Sequence, residues 1–340
     1  MDNQPKRSVL GRIVRWIFMF LLISSLVISV MLNIGLGTAL YATGKSFYHS
    51  DTDEPVDEFP SFEEEWSYGS GTAKVVRLDL FGIITREMES GLFEVPVDRV
   101  EEMIRAIRAA RHDEEVRAII IDVDSPGGGI TPSDEIYREL MLFKESAEGR
   151  KVVIYMRDLA ASGGYYVAMA GDWLVAQPTT VLGSIGVIMQ SLNWKGLSDK
   201  IGVTDTTIKS GDNKDLLNPF RESDPEQIAM LQDMIDRMHT RFRALVSAGR
   251  GIEEARLMEL ADGRIFTADQ ALELNLIDQV GYWEDVMDKT AELLGEEDIK
   301  VVRYYQTMSF FDFLSGVRHP LAAPLAKLNE APRLQYLWKP

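Results

Sequence analysis

The chain is predicted to be an α/β protein carried on an N-terminal transmembrane helix. Two observations predict this. From residue 73 onward, short apolar runs rich in β-branched residues alternate with segments of helical periodicity, the pattern of βαβ units with right-handed crossovers. Ahead of them, 29 consecutive residues (16–44) contain no Asp, Glu, Lys or Arg. As a helix that run spans about 43 Å, more than the roughly 30 Å hydrocarbon core of a bilayer.

Lys6, Arg7, Arg12 and Arg15 precede the apolar run, which predicts a cytoplasmic N-terminus and a body on the far side of the membrane. A cleaved signal usually has an apolar stretch of only about 7–15 residues. Residues 1–45 are therefore expected to be a retained anchor. The small residues Gly35, Gly37, Thr38, Ala39 and Ala42 leave cleavage open as the alternative. In 46–72, acidic side chains crowd together with Pro55, Pro60, Gly69 and Gly71, which reads as a solvated spacer.

The remaining elements follow in order. KVVRLDL (74–80) is strand-like, and Val100, Met103, Ile104, Ile107 and Ala110 give 97–111 a helical stripe. VRAIIIDV (116–123) reads as a strand buried on both faces. A helix at 133–146, a strand at 152–156, a small-residue helix at 162–170, a strand at 173–176 and a helix at 194–201 come next. Asp224-Pro225-Glu226 opens a long helix over 224–249, with proline in its first turn. Helices at 253–261, 267–274 and 283–294 and a strand at 300–305 close a compact region, 73–305. Residues 306–340, with Phe310, Phe311, Phe313, Leu314 and then Pro320, Pro324 and Pro332, read as docking segments.

Composition narrows the function. The net charge is −17 over 340 residues, although the first 45 residues carry +4. So acidic a body does not suit nucleic acid, which needs a basic face. With no cysteine there is no disulfide framework, thiolate metal site or cysteine nucleophile. No histidine spacing suits a metal, and no dinucleotide fingerprint or P-loop occurs, so no cofactor is expected.

Two glycine-rich segments carry the chemistry. Asp124-Ser125-Pro126-Gly127-Gly128-Gly129 lies between the buried strand and a helix, where free backbone N–H groups can face an anion or a developing oxyanion. Ala160-Ala161-Ser162-Gly163-Gly164-Tyr165-Tyr166 opens the small-residue helix. Ser162 there is either a helix cap or a nucleophile, with the Gly163 N–H as an oxyanion donor. The four histidines, His49, His112, His239 and His319, all lie outside glycine-rich loops, which disfavours a Ser-His-Asp triad. A neutral lysine is an alternative base if burial lowers its pKa, and Lys209 and Lys214 in KSGDNKD are candidates.

Asp-Ser-Pro-Gly-Gly (124–128), Ala-Ser-Gly-Gly-Tyr-Tyr (161–166), Gly-Ser-Ile-Gly-Val (183–187) and Lys-Ser-Gly-Asp-Asn-Lys-Asp (209–215), in that order, resemble the signal peptide peptidase A family of serine proteases. The likeness covers roughly 73–290 and fits the short bacterial form with one catalytic repeat. It implies the Clp protease/crotonase fold, a repeated ββα core. It implies Ser162 as nucleophile and Lys214, in KDLLNP, as general base, with Lys209 the weaker choice. Ser184 would hydrogen-bond the lysine, and the Gly128 and Gly163 N–H groups would form the oxyanion hole. Asp124 departs from the Asn common in the wider superfamily. The resemblance also implies a homo-oligomeric ring on the bacterial inner membrane, with catalytic residues shared between subunits, degrading signal-peptide remnants and other hydrophobic peptides. A SohB-like protease, a crotonase-type acyl-CoA enzyme and a non-catalytic anchored scaffold are the competing readings.

Overall fold

The computed structural model describes residues 16–34, 58–86, 97–305 and 335–337. They fall into two units divided after Pro55. Within the first, the described element is helix α1 (Trp16–Ile34). Its 19 residues span about 28 Å and are apolar enough to cross a membrane, and its large apolar side chains are exposed.

The second unit is built on one mixed sheet. Its strands are β1 (Glu63–Tyr68), β2 (Ala73–Phe81), β3 (Val116–Ser125), β5 (Lys151–Ala161), β6 (Trp173–Ala176), β9 (Gln279–Val280) and β10 (Ile299–Tyr305), in the order β1-β10-β2-β3-β5-β6-β9. All pairings along this path are parallel except that of the edge strand β1, which runs antiparallel to β10. β7 (Val181–Gly183) continues beside the end of β5, and β8 (Ile265–Thr267) pairs with β7. A short strand, β4 (Gly127–Gly129), leaves the main sheet after β3 and pairs instead with β11 (Gln335–Leu337).

Parallel strands need covered faces, and the sequence supplies the covers. Ile119, Ile121 and Val123 of β3 belong to the larger core with helices α2 (Arg99–His112) and α3 (Ile130–Glu145). Ala118 and Ile120 point the other way, into a core with Val286, Met287 and Ala291 of α9 (Trp283–Leu294). This two-sided burial is why 116–123 reads as an unbroken apolar run. Helix α2 is capped by Asp98, which accepts the Val100 and Glu101 N–H groups, and it carries acids in its first turn and bases in its last. Asp122 is wholly buried on β3 and is neutralised by Arg77 and Arg157.

The other helices are α4 (Gly163–Ala168), α5 (Lys195–Ile201), α6 (Pro225–Arg250), α7 (Glu254–Leu260) and α8 (Ala268–Glu273), with a 3₁₀ turn at Asp212–Asp215. Helix α6 is 26 residues long, yet only Leu231, Phe242 and Val246 are buried on it.

The segment read as a spacer, 46–72, differs at its C-terminal end. Residues 63–68 form strand β1. An edge strand keeps its charges in solvent, so acidity is no bar to it. Phe62 stacks on Tyr304 at 5.4 Å, and the Tyr305 hydroxyl donates to Glu63 at 2.8 Å. His49, His319 and the aromatic cluster at 310–314 lie outside the described residues.

Candidate active site

The glycine loop after β3 is set by a small number of hydrogen bonds. Ser125 Oγ donates to the Gly82 carbonyl at 2.6 Å and accepts the Gly127 N–H at 3.1 Å. The Gly129 N–H donates to the Ile84 carbonyl at 2.8 Å, and the Ile84 N–H donates to the Gly127 carbonyl at 2.9 Å. Neighbouring residues of a strand turn their N–H groups to opposite sides, so the Gly128 N–H faces away from Ile84. Only glycine fits there, because a Cβ on Gly128 would lie 2.1 Å from the Ile84 carbonyl oxygen.

At the end of β5 the backbone turns sharply through Ser162, which sits at φ 53°, ψ −112°. Such a conformation costs a non-glycine residue about 1–3 kcal/mol. It is held by the Ser162 N–H on the Gly183 carbonyl (2.7 Å) and by the Tyr166 N–H on the Ser162 carbonyl (2.8 Å). The side chain makes no capping bond to α4, so the hydroxyl is not used as a helix cap. Ser162 is 1 % exposed. A Cβ on Gly163 would lie 3.1 Å from the Gly128 nitrogen and 2.6 Å from Ser133 Oγ. The two glycines named as oxyanion donors thus lie close together, with no room between them for a side chain. Ser184 follows Gly183, the residue that accepts the Ser162 N–H. It too is buried, and it too has a positive φ, 50°. Ser162, Ser184, Gly128 and Gly163 therefore meet in one place, at the ends of β5, β7 and β4.

An extended segment runs through that place. β11 lies antiparallel to β4 with Tyr336 opposite Gly128. On its other side Gln335 exchanges both backbone hydrogen bonds with Ile188, at 3.0 and 3.1 Å. Gln335 is used on Ile188, so the polar backbone atoms of Tyr336 turn towards Gly128. A three-residue peptide thus lies between two strand edges beside Ser162. No sequence signal marks this; Gln-Tyr-Leu is an ordinary strand triplet, and its partner lies 206 positions away.

Lys214 is not at this place. It lies exposed on the 3₁₀ turn, with its N–H closing the turn on the Gly211 carbonyl (3.1 Å), and its amine forms no hydrogen bond or ion pair among the described residues. Lys209 is engaged, its ammonium 2.6 Å from Asp215 Oδ1. The turn borders a groove of about 450 Å³ lined by Met189, Leu192, Arg221, Gln227 and Leu231.

Neither described histidine bonds to Ser162. His112 packs on Phe59, with ring centroids 4.4 Å apart. His239 lies against the backbone of Ile185 and Ala261, and burial disfavours its protonation. Asp124 accepts the Leu159 N–H, and its pKa is raised, first by burial and then by Asp158.

Comparison with known proteins fits this geometry. The model of peptidase family S49 matches residues 144–297. A protein of Enterococcus faecium with the provisional name signal peptide peptidase SppA is 35 % identical over 271 residues, covering 78 % of this chain and 75 % of its own. The chloroplast serine protease SPPA of Arabidopsis thaliana is 34 % identical over 64 % of this chain and 32 % of its own. Protease 4 of Salmonella typhi is 33 % identical over 55 % of this chain and 30 % of its own. An α/β sheet that presents a strained serine against a glycine strand, together with the family match and a 35 % identical relative covered over 75 % of its length, assigns the chain to the serine peptidases of family S49.

Proposed function

We propose that the protein is a membrane-anchored endopeptidase in which Ser162 is the nucleophile and Lys214 the general base. The observation that carries this reading is the strained Ser162 beside the close approach of Gly163 and Gly128, with an extended peptide already paired along β4. Peptide substrates would bind as β11 does, as a strand added to the Gly127–Gly129 edge. Neutral Lys214 takes the Ser162 proton as Oγ bonds to the scissile carbonyl carbon. The carbonyl oxygen gains the electron pair and is met by the Gly128 and Gly163 N–H groups. Collapse breaks the C–N bond, and the lysine ammonium protonates the departing amine. Water then attacks the ester, giving its proton to the same lysine, and collapse breaks the bond from the carbonyl carbon to Ser162 Oγ, which takes that proton back from the lysine. Ser184 orients the lysine amine.

Lys214 and Ser162 do not meet within one chain, which supports a homo-oligomer in which a neighbour supplies the lysine. So does the apolar surface left open around the 3₁₀ turn, where Leu192, Trp194, Leu197, Ile208, Phe220 and Met230 are exposed. Packing of a second copy there would also desolvate Lys214, as an amine base requires. The basic flank before α1 supports a cytoplasmic N-terminus, with the body outside the bacterial inner membrane. That location and the relatives named signal peptide peptidase favour signal-peptide remnants and other hydrophobic peptides as substrates. Hydrolysis of an apolar fluorogenic peptide by the full chain in detergent tests the reading. It should vanish in Ser162→Ala and in Lys214→Ala, and activity persisting in Ser162→Ala overturns it.

A further inference from the structure

The turn that carries Lys214 is pinned by a charge cluster that the dyad itself does not use. Lys209 Nζ lies 2.6 Å from Asp215 Oδ1 and 2.7 Å from the Asp212 carbonyl oxygen. Arg221 reaches the other Asp215 oxygen at 2.9 Å. From α6, Gln227 Nε2 donates to the Asp212 carbonyl and to Asn213 Oδ1, both at 3.2 Å. Asp215 is the last residue of the turn and the direct neighbour of Lys214. Its side chain is 12 % exposed and that of Lys209 is 25 % exposed, so both are partly shielded from water.

A carboxylate beside a lysine base is a liability. An opposite charge within about 4–6 Å favours the ammonium form, which cannot accept the serine proton. Here two cations, Lys209 and Arg221, occupy both oxygens of Asp215. The other charged groups of the region are Asp212 on the turn itself, Asp205, which lies 3.6 Å from Arg221, and Glu222 and Asp224 on the wall of the groove. Asp205 is also bound by Thr207 and Asn218, at 2.8 and 2.9 Å. Asp215 is thus the carboxylate with the shortest covalent path to Lys214, and it is the doubly paired one.

We infer that Lys209 is a positioning residue for the base: its pair with Asp215 holds the 212–215 turn and keeps Asp215 from pairing with Lys214. The inference rests on Lys214 being the general base. The sequence motif presents two lysines five positions apart, and the structure gives them different duties. Lys209 is bound and neutralises a carboxylate, while Lys214 is free to approach a serine.

The test is the pH dependence of kcat/KM for the full-length protein in detergent, with one fluorogenic peptide. The variants are Lys209→Met, Lys209→Arg, Lys209→Met combined with Asp215→Asn, and Lys214→Ala. Lys209→Met is expected to lower kcat about tenfold with KM little changed, and to move the acid limb of the profile up by about one pH unit, because the Asp215 oxygen that Lys209 held is freed to stabilise the ammonium while Arg221 keeps the other. Lys209→Arg keeps the ion pair and should retain most of the rate. The double variant removes the half-paired carboxylate and should return the acid limb to the wild-type position even if kcat stays low. A Lys209→Met protein with wild-type kcat and acid limb, beside an inactive Lys214→Ala, overturns the inference and leaves the dyad intact. An active Lys214→Ala with a dead Lys209→Met overturns the dyad reading instead and makes Lys209 the base. Should Lys209→Met fail to fold, the double variant and Lys209→Arg decide the matter. Wild-type profiles in both support the inference, and an unchanged upward shift in the double variant refutes it.

Discussion

Ser162, the proposed nucleophile, is a point of local backbone strain. Its backbone lies outside the regions that serine ordinarily occupies, and its hydroxyl is not diverted to capping α4. Two substitutions separate strain from function. Ser162→Ala keeps the strain, whereas Ser162→Gly relieves it. Both should be inactive as peptidases, and the glycine variant should be the more stable of the two by about 1 kcal/mol. Equal melting temperatures would mean that the turn is not strained. At Gly163 the reverse holds, since an added methyl meets Ser133 Oγ and the Gly127–Gly128 backbone. Gly163→Ala should cost activity by at least tenfold, as loss of oxyanion geometry does, and retention of full kcat would remove Gly163 from the proposed hole. Asp124 gives a pH prediction. Its pKa is raised in the folded chain, so its contribution is favourable at low pH and is lost as pH rises through that value. Asp124→Asn should therefore melt higher than the wild type at pH 7.5, with the gap narrowing towards pH 4. A gap independent of pH would show that burial of the charge is not the cause.

Among the elements, helices and long strands were legible because periodicity and two-sided burial leave a mark on composition. The strand at 116–123, the stripe of 97–111 and the proline-opened helix at 224–249 each match an observed element within a few residues. The serine and glycine motifs were legible for a different reason, namely that positive φ and close backbone approach restrict the residue type. β1, β4, β7, β8, β9 and β11 left no such mark. They are edge strands or pieces of two or three residues, and their existence depends on partners far away in the chain. β11 is the consequential omission, because it lies where a substrate strand would lie. Ending the chain at residue 334 should free the β4 edge and raise kcat/KM for a short peptide several-fold. A fall in activity accompanied by a lower melting temperature would instead make β11 part of the scaffold.

At the scale of the whole molecule, the sheet is held by cores on both faces and by a buried charge cluster on the α9 face, where Arg77 lies over Trp283. Removing Asp122 leaves Arg157 without its carboxylate and Arg77 with Asp79, at 3.3 Å, as its remaining partner. Asp122→Ala should cost about 3–5 kcal/mol, read from chemical denaturation, and a change under 1 kcal/mol would mean that the arginines find other partners. Ser162, Ser184 and the two glycines come together in this unit, whereas Lys214 lies exposed on the 3₁₀ turn. The N-terminal part of α6 and the segments around the 3₁₀ turn carry exposed apolar residues, and the proposed shared site makes this surface the place where a second copy would pack. The most direct measurement is complementation. Ser162→Ala and Lys214→Ala proteins, each inactive alone, are co-expressed, and mixed oligomers are purified through two tags. If a neighbour's Lys214 serves Ser162, randomly mixed rings recover about a quarter of the wild-type rate, because a Lys214→Ala subunit supplies the serine and a Ser162→Ala subunit supplies the lysine. Mixed oligomers that stay inactive would contradict the shared site.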